Sequence, residues 1–229
     1  MGTLLLIRHG QASAFEENYD RLSSKGELQA RLLGETLRSC GRGLERIFCG
    51  PRVRQVRTAE IAAEAGGLPA PVVVDDLDEM RVEPLYREQL PLLFEKHAHL
   101  RSLGDAMLAA DGDAARAKTF ARLFAGVLSL WQREQLHAPG VESWREFQAR
   151  VRRALKVICV GRAAAFTSAG PISAALQLAT GATDEVTLGA CMRVRNAALS
   201  EFLFSGERFS LVSFNETPWL RDEALLTLR

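Results

Sequence analysis

Short apolar runs and amphipathic stretches alternate along most of this chain. Residues 3–7 (TLLLI) are apolar without alternation, which predicts a central strand covered on both faces. The stretch LSSKGELQARLLGETLRSCG carries leucines at helical spacing behind a capping box of Ser24 and Glu27. ERIFCG and APVVVDD predict two further strands, separated by a helix that is opened by Pro51 and closed by Gly66 and Gly67. Alternating strands and helices predict a doubly wound α/β fold.

The pattern changes between residues 88 and 140, where strand signals are absent and helix-forming residues dominate. ADGD interrupts this stretch once. We interpret residues 88–140 as a helical insertion, a cap, within a single domain that spans residues 1–229. A second capping box, formed by Ser143 and Glu146, then predicts the start of the helix WREFQARVRRALKV.

The last third of the chain returns to the strand–helix pattern. RAAAFTS predicts a fourth strand, and PISAALQLATG predicts a helix with Pro171 at its start and Gly181 after its end. NAALSEFLF, the turn SGE and RFSLVSF predict a closing hairpin. The predicted fold is therefore a doubly wound, mostly parallel sheet flanked by helices, with a helical cap insertion.

Composition narrows the classes of partner. The chain is 47% hydrophobic with a net charge of +1, so it lacks the basic excess with which proteins bind nucleic acid or anionic membranes. No apolar run approaches the roughly 18 residues that span a bilayer, and cytoplasmic location is expected. The four cysteines lack C-x-x-C spacing, which favours neither a zinc site nor a disulfide framework. Trp131 and Trp144 are candidates for a homodimer interface, with core packing as the commoner use.

Polar side chains follow each predicted parallel strand. Arg8, His9 and Gly10 end the first strand, GPRVRQVRTAE follows the second, DDLDEM the third and TSAGP the fourth. Open α/β sheets bind ligands at the carboxyl ends of their strands, so these groups are expected at one edge. Cations, an imidazole, carboxylates and a helix N-terminus are the groups that phosphoryl transfer requires.

Together these segments resemble the histidine phosphatase superfamily, which has the phosphoglycerate-mutase-like fold. LIRHGQAS resembles its R-H-G signature, and GPRVRQVRTAE resembles its S-P-x-x-R-A-x-x-T-A element with Gly50 in place of the serine. LDEM resembles the segment that holds the acid, and VESWREFQARVRRAL and the RN before the last hairpin also match. The resemblance covers nearly the whole chain apart from the helical insertion.

The resemblance implies that His9 is a nucleophile that accepts the phosphoryl group as phosphohistidine. A strand-end histidine that only packs is the alternative. The resemblance also implies that Arg8 and Arg54 bind phosphate oxygens, for which the forked guanidinium is suited. Arg52 and Arg57 lie on the same segment as Arg54, and the motif selects Arg54 among the three.

Glu79 is implied as the general acid that protonates the leaving oxygen. It lies in the charged run DDLDEMRVE, and such runs are usually solvated loops. The carboxylates that compete with it for this role are Asp75, Asp76, Asp78 and Glu83.

The segment FTSAGPI departs from the family pattern, which has a second histidine followed by glycines. Aligning Gly170 and Ile172 puts Ser168 at the position of that histidine, and a shift of one residue puts Ala169 there. The other histidines, which fall in the helical insertion and are expected at the surface, are His97, His99 and His137.

Phosphate binding is expected to survive this departure better than catalysis. Ser168 still offers one uncharged hydrogen bond, and the turn at Ser168 and Ala169 leads into a helix N-terminus that favours an anion. We expect a phosphatase that acts on a small phosphorylated substrate without metal or other cofactor. A mutase is disfavoured because it must protect the phosphoenzyme from water with a complete pocket. The alternative is a weakly active or inactive relative that binds a phosphorylated ligand or a partner protein.

Overall fold

The computed structural model describes residues 1–13 and 20–228, and the chain divides into two compact units. The first unit comprises Met1–Glu79 and Ala149–Arg229, and the second comprises Met80–Gln148. Each unit is described separately.

One mixed sheet forms the centre of the first unit. Its strands in the described ranges are Gly2–Arg8 (β1), Arg46–Cys49 (β2), Pro71–Val73 (β3), Arg162–Thr167 (β4), Leu199–Ser205 (β5) and Arg208–Glu216 (β6). The order across the sheet is β3-β2-β4-β1-β5-β6. The first four strands in this order are mutually parallel, while β5 and β6 run antiparallel as the predicted hairpin. The prediction of a doubly wound, mostly parallel sheet is therefore confirmed.

The helices follow the predicted alternation. In the part of the chain that the structure describes they are Ser24–Ser39 (α1), Val53–Gly66 (α2), Glu83–Arg87 (α3), Leu90–Lys96 (α4), Ala98–Leu108 (α5), Asp113–Gln132 (α6), Trp144–Ile158 (α7), Ala169–Thr180 (α8) and Asp184–Cys191 (α9). The sequence analysis did not predict α9. Its readable signal was Thr183, whose hydroxyl accepts the backbone N–H of Val186 as an N-cap.

One of the two predicted capping boxes is confirmed. Ser143 and Glu146 exchange hydrogen bonds of 2.7 Å and 3.2 Å between backbone N–H groups and side-chain oxygens. The box at Ser24 was wrong by one residue, because Ser23 is the extended N-cap and its hydroxyl accepts the N–H of Gly26. Ser24 is already the first helical residue.

Two further helix starts also differ from the prediction. Helix α2 begins at Val53, two residues after Pro51. Helix α8 begins at Ala169, so Pro171 is its third residue rather than its first.

The core of the first unit explains why polar groups lie at the strand ends. Leu5 and Ile7 of β1 are completely buried and pack in one cluster with Phe166 of β4. Burial of this continuous apolar surface is the main favourable contribution to folding of the sheet. Both faces of β1 and β4 are therefore covered by apolar packing, and polar side chains occur only where these strands end.

The second unit consists of α3 to α6 and the first turn of α7. Trp131 and Trp144 are buried there, with ring centroids 5.3 Å apart in an edge-to-face arrangement. Core packing, the commoner use considered above, therefore accounts for both tryptophans, and neither presents a free aromatic surface for a dimer.

A cap over the site by residues 88–140 stays a prediction. Across the described ranges, no helix combines the length and hydropathy that a membrane span needs.

Candidate active site

The carboxyl ends of β1, β2 and β4 meet at one edge of the sheet. Arg8 pairs in register with Thr167, and the N–H of His9 donates to the carbonyl of Thr167 at 2.9 Å. The N–H of Gly50, directly after β2, donates to the carbonyl of Phe166 at 2.9 Å. The structure thus brings together the turns that the sequence analysis selected after these three strands.

The His9 imidazole is buried and its two nitrogens have different partners. Nδ1 lies 2.7 Å from the carbonyl oxygen of Gly10, which can only accept, so Nδ1 carries the proton. Nε2 accepts a hydrogen bond from Nε of Arg54 at 3.1 Å. The ring is therefore held as the tautomer with its lone pair on Nε2.

The surroundings of His9 also keep the ring neutral. Burial lowers its pKa well below the ordinary 6.5, and the positive charges of Arg54 and Arg8 lower the pKa further. The hydrogen bond to the Gly10 carbonyl acts in the opposite direction and is outweighed. A neutral imidazole is the nucleophilic form.

Close backbone packing explains why glycine follows His9. A Cβ atom on Gly10 would lie 2.4 Å from the carbonyl oxygen of Gly26, which is a severe clash. The N–H of Gly10 donates to the hydroxyl of Thr58 at 3.0 Å, and that hydroxyl donates to the carbonyl of Arg54 at 2.6 Å. Thr58 therefore links the turn after β1 to α2, a contact that the sequence analysis missed although Thr58 lies within the motif.

The backbone of His9 is held from the other side by Asn196. Its side-chain Nδ2 donates to the carbonyl of His9 at 3.2 Å, and its Oδ1 accepts from the hydroxyl of Thr227 at 2.9 Å. Asn196 is completely buried. The sequence analysis noted the RN pair before the hairpin but assigned Asn196 no contact.

Among the three arginines near the start of α2, the structure brings Arg54 to His9. Arg54 is buried, and its Nη1 lies 2.7 Å from Oδ1 of Asp20. Arg52 pairs instead with Asp78 at 2.6 Å, and the exposed Arg57 pairs with Glu60 at 3.2 Å.

Arg8 has backbone partners near the C-terminus. Its Nη1 donates to the carbonyl oxygens of Val194 and Leu228, the second at 2.8 Å. Arg8 thus connects the end of β1 to two later segments of the chain, and its charge acts on the pKa of His9.

Glu79 lies at the N-terminus of α8. Its Oε1 accepts the backbone N–H of Gly170 at 3.1 Å. The competing carboxylates have other positions: Asp78 is buried against Arg52, and Asp76 pairs with Arg153 at the surface. The predicted anion position at this helix start is therefore partly used by a carboxyl group of the chain itself.

Arg150 positions the segment that carries Glu79. This buried arginine of α7 donates to three backbone carbonyls, those of Asp76, Asp78 and Glu79, at 2.8–3.1 Å. Five donors in a rigid fork make arginine suited to such a role. No role was predicted for Arg150 from the sequence, and the signal that could have found it is an arginine on the buried face of an amphipathic helix.

Ser168 and Ala169 are both buried where β4 passes into α8. Ser168 is the N-cap residue, and its Oγ accepts a hydrogen bond of 2.8 Å from Nε2 of Gln55. Gln55 was not predicted as a site residue. Of the remaining histidines, His99 and His137 are exposed, as predicted, and His97 is half-buried in the second unit.

Comparison with known proteins agrees with this architecture. YhfR from Bacillus stearothermophilus aligns with a TM-score of 0.67 at 17% identity, over 96% of this chain and 100% of YhfR. A mycobacterial glucosyl-3-phosphoglycerate phosphatase aligns with a TM-score of 0.63 at 19% identity, over 95% and 100% of the two chains. At these identities the likeness supports the fold.

Sequence comparisons identify the family. A 2,3-bisphosphoglycerate-dependent phosphoglycerate mutase of Caulobacter sp. (strain K31) is 36% identical over 73 residues, which cover 29% of this chain and 31% of the mutase. The family model described as histidine phosphatase superfamily (branch 1) matches residues 4–90 and 112–217. These ranges include the turns after β1, β2 and β4 and most of the chain. The chain therefore belongs to branch 1 of the histidine phosphatase superfamily.

Proposed function

We propose that this chain hydrolyses a phosphomonoester through a phosphohistidine intermediate on His9. The observation that carries the proposal is the orientation of the imidazole. Its Nδ1–H is held by the carbonyl of Gly10 at 2.7 Å, and its Nε2 lone pair faces Arg54. A neutral ring with one basic nitrogen directed at a buried cation suits attack on an anionic phosphoryl group.

In the first proposed step, Nε2 of His9 attacks phosphorus and the bond from phosphorus to the ester oxygen breaks. The Nε–H of Arg54 turns from Nε2 to a phosphoryl oxygen, and Arg8 adds positive charge at the same edge. Glu79, in its protonated form, donates its proton to the leaving oxygen, which departs as an alcohol.

In the second step, water attacks the phosphohistidine and the bond between phosphorus and Nε2 breaks. The Glu79 carboxylate takes one proton from the water, which restores the acid for the next cycle. Inorganic phosphate leaves, and His9 returns to its neutral tautomer. We assign Ser168 and the backbone at Ala169 to phosphate binding, because both lie at the start of α8 beside the end of β1.

Hydrolysis is proposed rather than phosphoryl transfer between substrate positions. The residue at the place of the second motif histidine is Ser168, which offers no positive charge. A pocket with one cation fewer protects a phosphoenzyme less well from attack by water, which suits hydrolysis. The substrate is proposed to be a small phosphomonoester, with residues 88–140 shaping its specificity.

A second candidate function is binding of a phosphorylated ligand or a partner protein with little or no turnover. Two observations favour it: Glu79 already accepts the N–H of Gly170, and Arg8 donates to two backbone carbonyls. Both groups must rearrange, or act at longer range, for the catalytic cycle.

Release of phosphate from p-nitrophenyl phosphate without added metal tests the proposal. We expect turnover by the wild-type chain and none above background for His9→Ala, with His99→Ala as an exposed control that keeps wild-type activity. Rapid alkaline quenching and intact mass spectrometry should detect one added phosphoryl group on the wild type only. Absence of both turnover and phosphoenzyme from pH 5 to 8 would favour the binding function.

A further inference from the structure

Gln55 of α2 packs against two other buried residues, Gly50 after β2 and Ser168 after β4. Gln55 is completely buried in the first turn of α2, and its amide contacts Ser168. A Cβ atom on Gly50 would lie 2.2 Å from Oε1 of Gln55, so glycine is the residue that leaves room for this side chain. The family pattern has serine at 50, alanine at 55 and, in the alignment on Gly170 and Ile172, histidine at 168, so these three departures lie in one contact network.

The orientation of the Gln55 amide follows from its partners. Oε1 lies 3.0 Å from the backbone N–H of Arg52, which can only donate, so this atom is the oxygen. Nε2 therefore faces the hydroxyl of Ser168 at 2.8 Å and the carbonyl of Leu77 at 3.5 Å. Ser168 Oγ is consequently the acceptor in its bond with Gln55.

A serine at a helix N-cap normally accepts an N–H from the first turn, but this use is closed to Ser168. Pro171, at the third helical position, has no N–H, and the N–H of Gly170 is taken by Glu79. The Ser168 side chain indeed makes no capping bond. Its hydroxyl is thus available for a purpose other than helix capping.

The hydroxyl proton of Ser168 is the part of this network that still lacks an acceptor. Within residues 1–13 and 20–228, Ser168 Oγ accepts from Gln55 and makes no hydrogen bond as a donor, although it is completely buried. A buried donor without an acceptor costs free energy, which an incoming oxyanion would recover. Ser168 directly follows Thr167, whose carbonyl accepts the N–H of His9, so Ser168 lies at the strand end next to that of His9.

We infer that Gln55 is a positioning residue that holds Ser168 Oγ as an acceptor and thereby directs the Ser168 proton to an oxygen of the phosphoryl group at His9. The pair acts in place of a second histidine as an uncharged donor. This inference rests on the proposed function for the location of the phosphoryl group. It assigns Ser168 to phosphate contact and Gln55 to action through Ser168.

Binding of inorganic phosphate, measured by titration calorimetry on the full chain, tests the pair independently of turnover. We expect Ser168→Ala and Gln55→Met each to weaken phosphate binding about ten- to a hundred-fold, because each removes a hydrogen bond to an anion or its orientation. The double variant should bind no more weakly than Ser168→Ala, since Gln55 acts through Ser168. Ser173→Ala, a buried serine of the same helix, is the matched control and should bind as the wild type does.

Gln55→Glu separates positioning from packing. The carboxylate keeps the shape of the side chain but accepts where the amide donated, so it would draw the Ser168 proton away from phosphate. We expect weaker phosphate binding than in Gln55→Met, with Ser168→Thr retaining most of the wild-type affinity. Thermal unfolding of each variant with and without phosphate confirms that the affinities refer to folded protein.

The outcomes separate the two proposals. Unchanged phosphate affinity in folded Ser168→Ala, or additive losses in the double variant, would overturn the role of the pair, while turnover by the wild type would still support the proposed phosphatase. Coupled losses of phosphate affinity in a wild-type chain that forms no phosphohistidine would support the pair and contradict the phosphatase. If folded wild-type protein binds no phosphate, the inference fails.

Discussion

The carboxyl ends of β1 and β4 are neighbours in one sheet, yet they present different chemistry. At the end of β1, His9 lies against the guanidinium of Arg54, and both are buried. At the end of β4, Ser168 lies against the carboxamide of Gln55, and both are also buried. One end therefore concentrates positive charge beside the proposed nucleophile, and the other offers neutral hydrogen bonds.

Helix α2 connects these two ends through consecutive residues. Arg54 contacts the end of β1 and Gln55 contacts the end of β4. In the proposed mechanism, charge at β1 attracts the phosphoryl group that His9 attacks, and neutral donors at β4 orient its oxygens. The comparison implies that substitutions at the two ends should differ in the size of their effects.

The largest expected effect is at the charged end. Arg54→Met removes the cation beside Nε2 of His9 and should lower kcat/KM about a hundred- to a thousand-fold, as loss of one preorganised donor typically does. Arg54→Lys should recover little, because lysine lacks the fork that contacts His9 and Asp20 together. Steady-state kinetics with p-nitrophenyl phosphate measures both.

Arg57→Met is the matched control for that prediction. Arg57 lies three residues further along the same helix, is exposed and pairs with Glu60, so its loss should leave kcat/KM within about twofold. An equal loss of activity in both variants would show that general charge near α2, rather than the contact with His9, determines the rate.

The next effect concerns conversion of the neutral end into a charged one. Ser168→His alone should lose activity, because Gln55 Nε2 lies 2.8 Å from Ser168 Oγ and a ring carbon at that place would clash with it. Ser168→His combined with Gln55→Ala removes the clash, and kcat/KM should exceed that of Ser168→His by about a hundred-fold.

Gln55→Ala alone provides the reference and should be less active than the wild type. High activity in Ser168→His without the second substitution would mean that the contact between residues 55 and 168 does not constrain the site.

A smaller effect, on stability, distinguishes the hydrogen bonds that hold the backbone at the two strand ends. Thr58→Val leaves the buried N–H of Gly10 without its acceptor and should lower the free energy of unfolding by about 2 kcal/mol. Thr167→Val removes a 2.6 Å hydrogen bond to the carbonyl of Leu77. Because Gln55 still donates to that carbonyl, the free energy of unfolding should fall by only about 1 kcal/mol. Urea unfolding of both variants, which lose the same hydroxyl, provides the comparison, and equal losses would contradict it.

The strands and helices could be predicted because each is specified by a pattern within a short segment of sequence. The apolar run that becomes β1 and the amphipathic stretches that become α1 and α7 specify their elements by burial. His9 and Arg54 were found because each belongs to a short motif beside a strand end. The cap at Ser24 failed because two adjacent serines offer equivalent caps, and only backbone geometry distinguishes them.

Contacts between distant segments escaped prediction for the same reason. Gln55 and Ser168 are 113 positions apart, and the bond from Arg150 to the carbonyl of Asp78 spans 72 positions. A buried arginine on the amphipathic helix α7 is a local signal, but nothing in either segment identifies the distant partner. Such residues become visible only when the sheet register brings the strand ends together.

The last expected effect is the pH dependence that His9 gives to stability. Its pKa is lowered in the folded chain, so between the ordinary value of 6.5 and the lower folded value the unfolded chain binds a proton that the native chain does not. The free energy of unfolding should therefore fall as the pH decreases below about 6.5, by at most about 1.4 kcal/mol per pH unit for one proton. Above that pH neither state binds the proton, and the contribution vanishes. Urea unfolding between pH 5 and 8 should give profiles for the wild type and His9→Gln whose slopes against pH differ only on the acidic side, while His99→Gln, at an exposed position, keeps the wild-type profile. A wild-type profile that stays parallel to His9→Gln across this range would mean that the buried ring gains a proton as readily as in the unfolded chain, and the charged end would then lose its neutral nucleophile below pH 6.5.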